Sequence, residues 1–192
     1  MAVQTNSTGL PTTAQGSSAG EIGSFETING MRFAVRPIRV EDEPLLSDFH
    51  RQLSEESVYR RYFGPMKLET RVAHERLLRR CLNDSREQVA FVAEHTDSAG
   101  APHIAGVARL ARIPGRNSAE LAFVVADRYQ HHGLGKYLLS RMIAVGRELA
   151  LEQLEAEVLS ENDDMKHLFR NAGFRLSTPQ AGVLTARLAL QT

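Results

Sequence analysis

The chain has 192 residues, 42% of them hydrophobic, with 23 basic and 23 acidic side chains. This length and composition are typical of one globular domain, and the zero formal charge argues against a protein that coats nucleic acid. The single cysteine, Cys81, excludes an internal disulfide. No apolar run is long enough to span a membrane, and no basic residue precedes Arg32 to begin a signal peptide. These features predict a cytoplasmic protein without nucleic-acid or membrane partners.

The N-terminal part of the chain divides into a tail and the start of a domain. Residues 1–24 are rich in Ser, Thr and Gly and lack apolar periodicity, which predicts a disordered tail before a domain at 25–192. The segment Phe33–Ile38 has the composition of a strand, and Pro37 either ends this strand or confines it to a sheet edge. A helix is predicted to begin around Pro44, because acidic residues and proline favour the first helical turn.

Further helices and strands follow in alternation. Ser54 begins a second helix, and a third helix is predicted from Leu68 to about Leu82. Three strands separated by turns at residues 97–100 and 114–117 then predict an antiparallel meander; these strands are Val89–Ala93, Ile104–Arg112 and Ala119–Val125. Helices and strands are mixed along the chain, so the fold class is α/β or α+β around one central sheet.

A glycine-containing segment after the third meander strand predicts an anion site. The strand carries one carboxylate, Glu120, and is followed by Gln130–Gly135 and by a helix with apolar residues at three- to four-residue spacing. Glycines allow close backbone approach, and the free N–H groups of a first helical turn attract phosphate. The spacing Gln-x-x-Gly-x-Gly differs from the dinucleotide-binding and Walker A patterns.

Two motifs together resemble the GNAT superfamily of acyl-CoA-dependent N-acyltransferases. The first motif is Gln130–Gly135, and the second is Asn162–Phe174, where an Asn begins a short helix that ends at Gly-Phe. The resemblance covers roughly Phe33 to Leu190. It implies a GNAT fold, a mixed and mostly antiparallel sheet flanked by helices, whose strands splay near Val125 to admit acetyl-CoA as co-substrate.

A narrower resemblance lies upstream. Segments Val35–Leu45 and Leu53–Phe63 are similar to bacterial protein lysine acetyltransferases of the Pat type. In that group a GNAT domain acetylates acyl-CoA synthetases and is often attached to another domain. The resemblance implies an acceptor protein with a reactive lysine, such as an acyl-CoA synthetase. Two alternatives remain open, a small-molecule amine N-acetyltransferase and a non-catalytic acyl-CoA-binding sensor.

The GNAT resemblance also implies roles for individual residues. Glu120 is the candidate general base that takes the proton of the attacking amine, and the alternative is a solvent-exposed residue at a strand end. The residues expected to bind acetyl-CoA are Phe123, Val124, Val125, Gln130, His131, His132, Gly133, Leu134, Gly135, Lys136, Asn162 and Phe169.

Several of these residues have a second interpretation. Asn162 is also a good helix N-cap. Phe169 stands where many GNAT enzymes have a tyrosine that protonates the leaving thiolate, so water or the released ammonium would supply that proton. His131 and His132 have no neighbouring ligand cluster, and no metal is expected. The basic residues between Tyr59 and Arg80 either form a rim at the acceptor site or belong to a solvated helix face.

Overall fold

The computed structural model describes residues 23–74, 76 and 87–190 of the chain. Its strands are β1 (Gly23–Glu26), β2 (Arg32–Pro37), β3 (Gln88–Thr96), β4 (Pro102–Arg112), β5 (Ser118–Val125), β6 (Gln153–Leu159), β7 (Arg175–Leu176) and β8 (Val183–Ala189). Its α-helices are α1 (Glu43–Arg51), α2 (Glu55–Tyr62), α3 (Leu68–Arg71), α4 (Leu134–Glu148) and α5 (Asp163–Asn171). Most predicted elements are present within one or two residues of the expected bounds.

All strands of the described part of the chain belong to one sheet. Its order is β1-β2-β3-β4-β5-β6-β8-β7. Neighbouring strands are antiparallel except β5 and β6, which are parallel and are connected through α4, as a parallel pair requires a crossover. The predicted meander of β3, β4 and β5 is confirmed, and so is the mixed, mostly antiparallel sheet.

The parallel pair β5–β6 separates early. Only Ser118–Glu120 of β5 pair with Gln153–Glu155 of β6, although β6 continues to pair with β8 as far as Leu159. The strands were expected to splay near Val125, but the separation begins directly after Glu120. The second half of β5 therefore has no strand neighbour on the β6 side.

The first two strands refine the predicted beginning of the domain. β1 starts at Gly23, slightly before the expected start at residue 25, and the remainder of the predicted tail, residues 1–22, lies outside the described residues. β2 pairs with β1 and β3 and is not an edge strand. Pro37 is its last residue, so the proline ends the strand, which was one of the two predicted alternatives.

The predicted third helix is interrupted. α3 ends at Arg71, and the chain bends at Val72. The Arg71 side chain is buried, and its Nη1 donates a 2.6 Å hydrogen bond to the carbonyl oxygen of His50 at the end of α1. This tertiary contact ties the end of α3 to α1, and helical geometry resumes at His74 and Arg76. The rest of the predicted helix, Leu77–Leu82 with Cys81, lies outside the described residues.

A buried ion pair joins β2 to the start of α1. Arg36 donates to Asp42 at 2.8 and 2.7 Å and to Glu94 at 2.6 Å, and the side chains of Arg36 and Asp42 are only 11% and 6% exposed. The hydrogen bond to Asp42 is the main cause that raises the pKa of Arg36. The two-pronged geometry is the strong form of an Arg–carboxylate contact and fixes the path of the chain into α1.

Helix α4 is held against the sheet by its apolar side. Leu138 and Met142 are 1% exposed, and the helix packs on β4 and β5. Burying one such side chain contributes roughly 1.5–3 kcal/mol, so α4 is firmly placed and its N-terminus is fixed next to the end of β5.

Among the described residues, no helix has the length and apolar character needed to cross a membrane.

Candidate active site

A cavity of about 220 Å³ lies where β5 and β6 separate. Its walls come from β5, β6, α2, α5 and the segment before α4. Of the residues predicted to form the site, those that line this cavity are Glu120, Phe123, Val124, Val125, Gln130, His131, Asn162, Phe169 and Gly135. The splay thus brings together residues from both sequence motifs.

Glu120 lies at the point where the two strands part. It is the last residue of β5 that pairs with β6, where its partner is Glu155, and its exposed side chain lines the cavity. The Glu155 carboxylate is bound by Arg116 at 2.5 Å, whereas the Glu120 carboxylate forms no ion pair or hydrogen bond with any residue that the structure describes. A free carboxylate at the cavity wall is geometrically suited to accept a proton.

Two further carboxylates in the cavity were missed by sequence reasoning. Glu157 of β6 and Asp164 of α5 also line it, and both are exposed. Glu157 lies between the buried Ala156 and Val158 of β6. The alternation of strand side chains could therefore have predicted that Glu157 points away from the core. Glu157 is therefore the natural comparison for any test of Glu120.

The second half of β5 presents to the cavity backbone groups that have no neighbouring strand on the β6 side. The Val125 carbonyl oxygen accepts a 2.9 Å hydrogen bond from Nε2 of Gln130, whereas the Ala126 N–H donates to a β4 carbonyl at 2.8 Å. Because polar backbone groups alternate along a strand, the N–H and carbonyl of Phe123 face the splay with those of Val125. The backbone of Val124 faces β4, so its side chain is what reaches the cavity.

The glycine segment forms a tight entry into α4. His131 and Gly133 have left-handed φ values of 61° and 88°, and such conformations are favourable for glycine but cost about 1–3 kcal/mol in other residues. Gly133 caps α4 without a side-chain hydrogen bond. Tyr137 donates the first helical hydrogen bond, to the Gly133 carbonyl oxygen, so the preceding amides are free for an anion.

The remaining predicted residues of this segment do not line the cavity with side chains. His132, Gly133 and Lys136 are exposed, and Leu134 is buried in the core at 1% exposure. They lie on the segment that borders the cavity, where backbone amides are what they can offer. His131 is also exposed. Among the residues that the structure describes, no group of histidine, cysteine and acidic side chains has a geometry that could hold a metal ion.

Gly135 has space for a side chain. A Cβ atom there would lie 3.6 Å from the Phe123 ring and 4.0 Å from Leu168, which is ordinary contact distance, and its φ is not left-handed. Glycine in a helix costs roughly 0.5–1 kcal/mol relative to alanine. The fold therefore does not require glycine at this position, and the open space in front of it remains available to a ligand.

A polar network braces this segment against α2. Asp127 accepts hydrogen bonds from the Ser54 N–H and Oγ at 3.0 and 2.5 Å and from Ser57 Oγ at 2.9 Å. Gln130 Nε2 in turn donates to Ser57 Oγ at 3.0 Å. Burial acts to raise the pKa of Asp127, but the hydrogen bonds from Ser54 and Ser57 outweigh it and lower that pKa. The side chain of Gln130 is thus used to position the segment.

Asn162 and Phe169 hold the opposite wall, which α5 provides. Asn162 is 5% exposed and caps α5, since its Oδ1 accepts from the Met165 N–H at 3.2 Å. Its side-chain nitrogen, Nδ2, bonds to no residue in the described part of the chain. Phe169 is 1% exposed and packs edge-on against Phe123, with 6.5 Å between ring centroids, and against Phe174 at 5.0 Å. Phe169 supports the wall mainly through packing.

Helix α2 closes the cavity from a distant part of the sequence. Ser57, Arg60, Arg61 and Phe63 line it, and Phe63 has a left-handed φ of 59°, an uncommon conformation for an aromatic residue. The guanidinium carbons of Arg61 and Arg76 lie 5.1 Å and 5.3 Å from the centre of the Tyr62 ring. Both basic residues of this helix, Arg60 and Arg61, therefore reach the cavity, which helix periodicity alone did not indicate.

Comparison with known proteins assigns this arrangement to a family. A family model described as an acetyltransferase (GNAT) domain matches residues 32–175. Acetyltransferase Pat of Mycolicibacterium smegmatis is 32% identical over 146 residues, which are 75% of this chain and 41% of that protein. The chain thus spans less than half the length of this relative.

Two solved structures have the same fold. The GNAT domain of S. lividans PAT superposes with a TM-score of 0.76 and 30% identity, over 88% of this chain and 96% of that chain. The PaiA N-acetyltransferase of Thermoplasma acidophilum, solved in complex with coenzyme A, has a TM-score of 0.65 and 17% identity, over 82% and 99% of the respective chains. The chain belongs to the GNAT acetyltransferase family.

Proposed function

We propose that the protein transfers acetyl from acetyl-CoA to the ε-amine of a protein lysine, with Glu120 as general base. The observation that carries this proposal is the cavity between β5 and β6, which holds a free carboxylate, an unpaired strand edge and the first-turn amides of α4. These are the three features that a thioester substrate with a long amide arm and a pyrophosphate requires. The similarity to proteins named Pat favours a protein acceptor.

The chain's own groups suit acetyl-CoA along the length of the cavity. The amides of Leu134, Gly135 and Lys136 are available to the pyrophosphate, with Gly135 leaving space for close approach. The backbone groups of Phe123 and Val125 point into the gap between β5 and β6. There they can form hydrogen bonds with the amides of the pantetheine arm, which would take the place of a neighbouring strand. The side-chain nitrogen of Asn162, Nδ2, offers one further hydrogen-bond donor from the opposite wall of the cavity.

Glu120 stands at the acetyl end of this path. The amine nitrogen forms a bond to the acetyl carbonyl carbon, the bond from that carbon to sulfur breaks, and Glu120 accepts the proton that the amine loses. A β5 amide facing the splay can stabilise negative charge on the carbonyl oxygen. No tyrosine lines the cavity among the described residues, so the thiolate takes its proton from water or from the protonated nitrogen of the tetrahedral intermediate as it collapses to the amide.

The first experiment measures transfer of labelled acetyl from acetyl-CoA into a cell lysate, separated into protein and small-molecule fractions. Wild type is compared with Glu120→Gln and with Glu157→Gln as a matched control, because both carboxylates line the cavity. Loss of a general base reduces turnover by roughly 10²- to 10⁴-fold, so Glu120→Gln is expected to lose labelling of protein lysines. Glu157→Gln is expected to retain it, and the affinity of both variants for acetyl-CoA should remain near wild type.

Two results would contradict the proposal in different ways. Full activity of Glu120→Gln together with loss of activity in Glu157→Gln would indicate that Glu157 of β6, not Glu120 of β5, is the general base. Label found only in the small-molecule fraction would instead overturn the protein acceptor and favour a metabolite amine. Labelled proteins identified as acyl-CoA synthetases would support the acceptor class that the Pat resemblance implies.

A further inference from the structure

Arg61 stands apart from the other basic residues around the cavity. It lies in the last turn of α2 and lines the Glu120 cavity. It also lines a second, smaller cavity of about 20 Å³ between α1, α2, β4 and β5. Its guanidinium carbon lies 5.1 Å from the centre of the Tyr62 ring, and the residue is only partly exposed. The side chain is thus held at the boundary between the two cavities.

The guanidinium of Arg61 forms no hydrogen bond or ion pair with any residue in the described part of the chain. Neighbouring arginines differ, because Arg60 pairs with Glu56 at 2.5 Å and Arg71 donates to the His50 carbonyl oxygen at 2.6 Å. A planar guanidinium with five donors is normally paired when it is withdrawn from water. Arg61 therefore has unused hydrogen-bonding capacity at the cavity wall.

The surroundings of Arg61 disfavour its positive charge. Burial is the largest cause and lowers the pKa of this guanidinium, and the nearby positive charges of Arg109 and Arg76 act in the same direction. Tyr62 and Glu120 act against them but do not compensate. Since an incompletely paired cation away from water is costly, an arriving anion would relieve this cost.

We infer that Arg61 is a specificity-determining residue that binds a carboxylate of the acceptor beside the reacting amine. The inference rests on the proposed function, in which Glu120 receives the amine proton in the same cavity. The arginine fork binds a carboxylate through two parallel hydrogen bonds, while Glu120 takes up the amine. The preferred acceptor is therefore a lysine with an aspartate or glutamate next to it in sequence or on the folded surface.

The test uses pairs of synthetic peptides with one central lysine, flanked by glutamates in one member and by glutamines in the other. Wild type is expected to favour the glutamate peptide in kcat/KM by about tenfold to a hundredfold, the range for a hydrogen bond to a charged group. Arg61→Gln should reduce this preference to near unity, and Arg61→Lys should retain part of it because it keeps the charge but loses the fork. Arg51→Gln is the control and should retain the full preference, because Arg51 is exposed on α1, pairs with Asp48 and does not line the cavity.

A preference that persists in Arg61→Gln, or equal rates for both peptides in wild type, would overturn the inference. Thermal unfolding of each variant checks that the fold is intact, and Arg61→Lys decides the matter if Arg61→Gln does not fold. A parallel series of ω-amino acids and their amides separates the two proposals. Preference for the free carboxylate there, with no peptide labelling, would overturn the lysine acceptor but support the role of Arg61. No labelling in either series would overturn both.

Discussion

Replacing Gly135 with alanine is expected to stabilise the fold and to weaken acetyl-CoA binding. The added Cβ would lie at ordinary contact distances, 3.6 Å from Phe123 and 4.0 Å from Leu168, so no neighbour must move. Alanine has better helix propensity than glycine by about 1 kcal/mol. In the absence of ligand, the variant should therefore unfold at the same temperature as wild type or up to about 4 °C higher.

The same methyl group would occupy the space in which the pyrophosphate approaches the first-turn amides. Losing hydrogen bonds to a charged group costs about 1.5–3 kcal/mol, so we expect the affinity for acetyl-CoA to fall by about a hundredfold. At a ligand concentration of about 100 times the wild-type Kd, binding stabilises wild type by about 2.7 kcal/mol but the variant by only about 0.4 kcal/mol. These values correspond to thermal shifts of about 5–11 °C and about 1–2 °C.

Two assays measure these opposite effects. Thermal unfolding with and without acetyl-CoA gives both stability and ligand-induced shift, and calorimetric titration gives the affinity directly. Gly133→Ala is the matched control, because Gly133 has a φ of 88° and an added Cβ would lie 3.2 Å from the Phe25 ring. A left-handed conformation costs about 1–2 kcal/mol in alanine, so this control should lower the stability of the protein without ligand.

Either of two results would refute the reasoning. A lower unfolding temperature for Gly135→Ala without ligand would show that the fold itself needs glycine there. An unchanged affinity would show that the ligand does not approach the first turn of α4.

Two further predictions concern the polar contacts that place α1 and α2. Asp127→Asn should lower the free energy of unfolding by about 1 kcal/mol at neutral pH, through loss of support for the Ser54 cap. Because hydrogen bonding lowers the pKa of folded Asp127, its contribution is complete above the ordinary carboxyl pKa and is lost as pH falls through the lowered value. Urea unfolding from about pH 7 to about pH 3 should therefore show the difference from wild type narrowing, and a constant difference would contradict this role. Arg36→Met should lower the free energy of unfolding by about 3–5 kcal/mol, since it leaves Asp42 buried without its partner, and urea unfolding of the double variant with Asp42→Asn should recover part of the loss.

Local signals predicted the elements that local chemistry stabilises. The helix begun by Ser54 was predicted from a serine that can cap it, and Ser54 Oγ accepts from the Ser57 N–H at 3.1 Å. Asn162 caps α5 in the same way. In α4, the spacing of apolar residues correctly predicted a helix packed on the core. Each of these features depends on residues within one or two turns, so the sequence alone contains the relevant interactions.

Local signals failed where a distant contact decides the conformation. The predicted third helix is interrupted after Arg71, whose side chain contacts the carbonyl oxygen of His50, a residue 21 positions away. Helix propensity does not include such a contact. Similarly, the strands were expected to separate near Val125, but register between β5 and β6 ends at Glu120, and no short-range pattern specifies where a parallel pair stops.

The residues of the candidate site fall into the same two groups, those that local patterns predict and those that only distant contacts place. The sequence by itself determined the glycine segment, the carboxylate of β5 and the capped helix that follows β6, because backbone freedom, strand alternation and capping are local properties. Only the tertiary structure placed Glu157 in the same cavity and brought Arg61 there from α2, unpaired among the described residues. Burial and pairing of charges depend on which distant elements meet, and this is the physical reason why the fold, rather than the sequence pattern, decided how the acceptor end of the site is lined.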